Sequence, residues 1–320
     1  MVNIIIPIYK AKDTLPMALD SLCVQTKKTF IVTLVNDADN EDYTDIINDY
    51  KNRGLHIHYL ELSENKGPGV ARQFGIDNTT SCDYIMFMDA DDIYYPNAVE
   101  MLYNEAKTKN ADLVISNIET EKNGRPSKII DVDSGLITWC FGKIYKLSYL
   151  RRNKIRFLDN LRLNEDSYFN LVSAGATSKK YKIKYTTYYW RDNKNSLTRR
   201  VSQEEFEKES NTQYLLSQIE AILKLTELKA NIDPITISNT LLNMYYHMML
   251  GDILNISRKE YSEKLKLLKN NDIIKKWQKA PENWIYIMKN CKIGYILDSK
   301  ILFFKTNFIE WYNYFIRNEV

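Results

Sequence analysis

The sequence predicts an α/β fold, a Rossmann-like domain on a mostly parallel central sheet, followed by a helical C-terminal region. Up to about residue 120, short β-branched runs alternate with amphipathic stretches, as in successive βαβ units. The run Tyr84 to Met88 is apolar at consecutive positions, which suits a central strand covered on both faces. Beyond about residue 200 only helical spacing remains, with Tyr214, Leu215, Ile219, Ile222 and Leu223 along one stripe.

In chain order, the expected strands are 3–8, 30–36, 56–62, 83–88 and 113–118, and the expected helices are 15–25, 44–52, 69–78 and 96–110. A turn at Asn123 and Gly124 opens a mixed segment, and Pro234 starts a helix that runs to Leu250. The expected organisation is residues 1–200 as one domain, with 1–120 and 121–200 as its two halves, and residues 201–320 as a helical domain. Right-handed crossovers align the first strands, and open α/β sheets bind ligands beyond the strands' carboxyl ends. Tyr9 and Lys10, Asn36 and Asp37, the segment 65–69, and Asp89 to Asp92 then share one rim. Such a row implies a single elongated ligand site.

Composition narrows the class of partner. The 320 residues carry 44 Lys and Arg against 41 Asp and Glu, a net +3 that does not by itself call for nucleic acid. Cys23, Cys82, Cys140 and Cys291 lie too far apart for a CxxC pair or a disulfide scaffold, so free thiols and a cytoplasmic setting fit. The opening MVNIIIPIYK reads as a first strand, not a leader, and no run approaches the ~18 apolar residues of a membrane span. The aromatic stretch from Ile293 to Ile316 suits docking on the rest of the chain, on a second copy, or peripherally on the inner face of a membrane.

Asp89, Asp91 and Asp92 follow a buried strand, where packing cannot justify acidic groups. Like charges ~4 Å apart at an effective dielectric of about 20 repel by roughly 4 kcal/mol, so a cation is a natural compensator. Hard carboxylate oxygens suit Mn²⁺ or Mg²⁺. An acidic helix start before Pro96 would explain the same residues, and a helix N-terminus would equally explain Glu165 and Asp166. His56 and His58 share a strand face without a third ligand in view and read as structural.

Taken in order, Ile6-Pro7-Ile8-Tyr9, Ser21-Leu22, Gln25-Thr26, Val35-Asn36-Asp37, Asn65-Lys66-Gly67 and Ala71-Arg72 form the first half of a longer series. Asp89-Ala90-Asp91-Asp92, Gly142-Lys143-Ile144-Tyr145, Asn164-Glu165-Asp166, Trp190-Arg191 and Ser196-Leu197-Thr198 complete it. In order and spacing the series resembles the family 2 glycosyltransferases of the GT-A fold.

The resemblance implies inverting transfer of one sugar from a nucleoside-diphosphate sugar, a UDP-sugar foremost, to an acceptor hydroxyl. It implies that Pro7, Tyr9, Asp37 and Lys66 line the nucleotide site, with Arg72 closing over the base. Asp89 and Ala90 would face the ribose and sugar, and Asp91, with Asp89, would hold Mn²⁺ or Mg²⁺ on the diphosphate. Asp166 would be the general base, a role that contributes roughly 10² to 10⁴ in rate. Glu165, Trp190, Arg191, Ser196 and Thr198 would belong to the acceptor side or a lid. Where the family usually has Gly and Ser after the aspartate matching Asp37, this chain has Ala38 and Asp39. The acceptors implied are glycans, teichoic acids, lipids, proteins or modified DNA, with the helical region serving acceptor binding, homo-oligomerisation or membrane-surface docking. A metal-dependent nucleotidyltransferase and a non-catalytic assembly module are the competing readings.

Overall fold

The computed structural model describes residues 1–132, 138–193, 203–253, 259, 263, 265–290, 308–313 and 316. The chain divides into two compact units, Met1–Ser196 and Leu197–Val320.

In the first unit, β1 (Val2–Ile8), β2 (Phe30–Asn36), β3 (Ile57–Glu61) and β4 (Tyr84–Phe87) pair in parallel in the order β3-β2-β1-β4. The helices α1 (Leu15–Cys23), α2 (Thr44–Asn52) and α3 (Pro68–Asp77) make the crossovers between them. β4 is buried at every position, as a central strand must be, whereas His58 is exposed on the edge strand β3. Gln25, at the end of the first helical stretch, braces the chain from within. Its side-chain amide donates to the Tyr95 carbonyl at 2.8 Å and accepts from the Val99 amide at 3.1 Å.

Beyond β4 the sheet departs from the expected simple series. A two-residue strand, β5 (Ile93–Tyr94), follows the acidic cluster, and α4 (Ala98–Thr108) starts two residues later than Pro96. The Tyr95 amide is committed to the Thr187 carbonyl at 2.9 Å, which holds this stretch extended before the helix begins. β6 (Leu113–Lys122) turns through Asn123 and Gly124 into β7 (Arg125–Ile130). The strand β8 (Lys143–Lys146) inserts antiparallel between β4 and β6, and β9 (Lys180–Trp190) runs parallel to β6 while pairing with β5. The outcome is a nine-stranded mixed sheet.

Between β8 and β9 lie α5 (Leu147–Arg152) and α6 (Glu165–Gly175). The second unit contains α7 (Gln203–Glu227), α8 (Pro234–Ile253), α9 (Asp272–Gln278) and α10 (Pro281–Asn290) around its own core. From the aromatic stretch near the end of the chain, Phe308, Trp311 and Tyr312 are buried in that core, ringed by Tyr245, Trp277 and Trp284. No helix among the described residues is long and apolar enough to cross a membrane.

Candidate functional site

The carboxyl ends of β1, β2 and β4 share one rim because these strands run parallel, and the expected row of polar residues stands on it. Pro7 is the partly exposed residue near the end of β1, and Tyr9 is exposed just beyond it. Asp37 is buried. Its two carboxylate oxygens accept from the Lys66 and Gly67 amides, each at 2.8 Å, so Asp37 fixes the 65–67 loop beside β1. Burial pushes its carboxyl up, opposed by those two amides. The Lys66 side chain points to Glu64, 2.9 Å away at the surface. Asp39 shapes the neighbouring turn, where its carboxylate accepts from the Glu41 amide at 2.9 Å and from the Tyr43 hydroxyl at 2.8 Å.

The three carboxylates after β4 separate into different environments. Asp92 is almost fully buried, accepting from the Tyr188 hydroxyl at 2.7 Å and the Arg191 amide at 2.8 Å. Burial, then Asp89 and Asp91, drive its carboxyl well above the usual range. Asp92 therefore joins β4 to β9 as a structural residue, and it is neither a helix cap nor an outward ligand. Asp89 and Asp91 stay partly exposed at the rim, with Ala90 between them. Asp91 accepts from the Asn193 side chain at 2.8 Å, and burial followed by the charge of Asp89 raises its carboxyl.

Arg72 on α3 stands between two carboxylates. It is 6% exposed, with Nη2 on Asp89 at 2.7 Å and Nη1 on Glu165 at 2.8 Å. Both Nη atoms are thus engaged by carboxylates of the protein, and Arg72 ties the end of β4 to the first turn of α6. The approach of α3 to α6 is close: a Cβ on Gly69 would stand 2.7 Å from Glu165 Cγ, so only glycine fits there without movement.

Asp166 follows Glu165 in that first turn and accepts from the Ser167 amide at 2.7 Å. Burial and the neighbouring Glu165 push its carboxyl up to about 7, against the pull of Arg72. A carboxylate with that affinity for protons is matched to general-base work near neutral pH. Behind it, the Asn170 side chain donates to the Asp166 carbonyl at 2.8 Å and to the Thr138 carbonyl at 3.1 Å.

Trp190, at the end of β9, is 40% exposed and stacks on Trp139 with ring centres 6.1 Å apart. The Arg191 side chain lies 3.5 Å from Glu121 on β6. Ser196 and Thr198 lie outside the described residues. Sequence reasoning overlooked Tyr188, whose hydroxyl accepts from the Asp89 amide at 3.0 Å while donating to Asp92, and Asn193. Alternation along 180–190 with a polar turn after it was the available signal for both.

Among the described residues, no group of three or more His, Cys, Asp or Glu side chains is arranged to hold a metal ion. Asp91 and Asp89 do offer two partly exposed oxygen donors of the type Mn²⁺ and Mg²⁺ prefer.

Comparison with known proteins accords with this geometry. A poly(ribitol-phosphate) β-glucosyltransferase of Bacillus spizizenii is 29% identical over 203 residues, covering 59% of this chain and 32% of the relative. The poly(ribitol-phosphate) β-N-acetylglucosaminyltransferase TarP of Staphylococcus aureus is 29% identical over 206 residues, 59% of this chain and 62% of the relative. The chain thus matches less than two thirds of either relative's length. Among solved structures, S. aureus TarS 1-349 in complex with UDP-GlcNAc superposes with a TM-score of 0.69 at 18% identity, covering 96% of this chain and 88% of that one. The likeness shows the GT-A fold. The model of glycosyl transferase family 2 matches residues 3–163, and the chain belongs to that family.

Proposed function

We propose that the protein transfers one sugar from a nucleoside-diphosphate sugar, a UDP-sugar foremost, to an acceptor hydroxyl with inversion at the anomeric carbon. The observation that carries this reading is the Arg72 bridge, which holds Asp89 at the donor rim to Glu165, the immediate neighbour of Asp166. In the proposed step the acceptor oxygen bonds to the anomeric carbon as that carbon's bond to the diphosphate breaks. The hydroxyl proton passes to Asp166, and the nucleoside diphosphate leaves. Attack opposite the leaving group inverts the centre.

Pro7, Tyr9 and the loop fixed by Asp37 are the proposed nucleotide side, and Asp89, Ala90 and Asp91 the proposed sugar and diphosphate side. Asp91, with Asp89, would hold Mn²⁺ or Mg²⁺, and such a cation supplies neutralisation of the diphosphate charge. Trp190 offers an aromatic face on the acceptor side. Relatives that act on poly(ribitol-phosphate), and a UDP-GlcNAc complex of a protein of the same fold, favour a UDP-sugar donor and a polyol-phosphate acceptor of the teichoic acid type.

The test is a panel of nucleotide sugars with Mn²⁺ or Mg²⁺, read by thermal stabilisation and slow release of nucleoside diphosphate. A donor at ~100 times its dissociation constant should add about 2.7 kcal/mol of stability. Asp91→Ala should remove the metal dependence, and Asp166→Asn the turnover. Pyrophosphate release from a nucleoside triphosphate would instead indicate a nucleotidyltransferase, and absence of any response to donors would indicate a non-catalytic fold.

A further inference from the structure

Lys143 is a lysine where hydrophobic packing alone would place a methionine. It is 2% exposed, on a strand bordered by β4 and β6. A buried ammonium is costly unless opposite charge and hydrogen bonds compensate it. One partner is explicit: Nζ donates to the Trp139 carbonyl. Gly142, at φ +65°, makes the reversal that brings this carbonyl back over the amine. The Trp139 carbonyl lies in the same short segment whose Thr138 carbonyl and Cys140 sulfur accept from Asn170, the residue that also donates to the Asp166 carbonyl.

Lys143 and Tyr145 are two apart on β8 and project to one face of the sheet. Tyr145 donates to Asn170 on α6 at 2.7 Å, which identifies that face as the α6 side. Because β8 runs antiparallel to β4, with Ile85 opposite Tyr145, Lys143 lies nearer than Tyr145 to the rim that carries Asp89. The ammonium is therefore enclosed beneath the first turn of α6.

The charges there can be assigned. Asp166 is faced by Glu165 in its own turn, Arg72 from α3, Asp89 from the end of β4, and Cys140, Lys143 and Tyr145 from β8 and the segment before it. Both Nη atoms of Arg72 are committed to Asp89 and Glu165. Lys143 is faced by Cys140 and Asp166. We propose that Lys143 is a positioning residue for Asp166, a second buried cation that keeps the acceptor-side carboxylate charged and in place. Burial lowers the Lys143 ammonium to about 8, opposed by the charges of Cys140 and Asp166.

This inference rests on Asp166 being the base. It is tested by the pH profile of nucleoside-diphosphate release in the full chain for Lys143→Gln, Lys143→Met and Lys143→Arg, with melting curves for each. Glutamine keeps a donor for the Trp139 carbonyl without the charge, so either neutral variant that melts as a folded protein serves. The acid limb should move up by about 1 pH unit in the neutral variants, and arginine should restore it. At a pH on that limb this is about a tenfold loss of rate. A folded neutral variant with the wild-type limb would overturn the role of Lys143. Undiminished turnover in Asp166→Asn would instead overturn the assignment of the base.

Discussion

Arg72 on α3 and Glu165 on α6 form a buried ion pair 2.8 Å long across 93 residues of sequence, and both side chains are less than a tenth exposed. Removing one member strands the other in a dry site, which typically costs 3–5 kcal/mol. Arg72→Met should lower stability by about that amount in urea unfolding, and it should also raise KM for the donor, because Asp89 loses the same guanidinium. Glu165→Gln retains an acceptor for Arg72 and should cost less.

The elevated Asp166 carboxyl gives a pH signature. The rate of transfer should fall about tenfold per pH unit below about 7, where the base is protonated, and level off above it. Between the ordinary aspartate value and 7 the folded chain holds a proton that the unfolded chain has released, so this group lowers stability as pH rises through that window. Asp166→Asn should lose this dependence, so its melting temperature relative to wild type should climb between pH 4 and pH 7, as scanning calorimetry would record.

Two glycines in α3 separate packing from chemistry. An added Cβ at Gly75 would meet Ile5 Cγ2 at 2.5 Å in the core, whereas one at Gly69 would press on Glu165 Cγ at 2.7 Å. Both alanine variants should lose about 1–3 kcal/mol of stability. Gly69→Ala alone should also shift the acid limb of the rate profile, because it moves the turn that carries Asp166.

Tyr188→Phe deletes a single hydroxyl that donates to buried Asp92 and accepts from the Asp89 amide. The loss should destabilise the chain by about 1–3 kcal/mol, since Asp92 keeps its burial and loses a donor. It should weaken donor binding more than it slows donor hydrolysis at saturation, measured as KM against kcat.

Much of the rim was legible because its signals are local. Apolar runs defined β1, β2 and β4, and a parallel sheet brings the residues that follow them together. The region around β8 and α6 depends on distant partners. β8 contains two lysines and a tyrosine in four positions, and it becomes a strand by pairing with β4 and β6, far away in sequence. Asp92 resembled a third outward carboxylate because Tyr188, nearly a hundred residues on, is what holds it inside. The partners of Arg72 were hidden for the same reason: Asp89, after β4, and Glu165, on α6, lie 17 and 93 residues away.

The most direct measurement is the configuration of the sugar first released when the protein slowly hydrolyses an α-linked nucleotide sugar, followed by proton NMR of the anomeric signal before mutarotation. Single displacement, with water in place of the acceptor hydroxyl, predicts the β anomer, with Asp166→Asn abolishing its formation. Initial release of the α anomer, or an undiminished rate in Asp166→Asn, would contradict it.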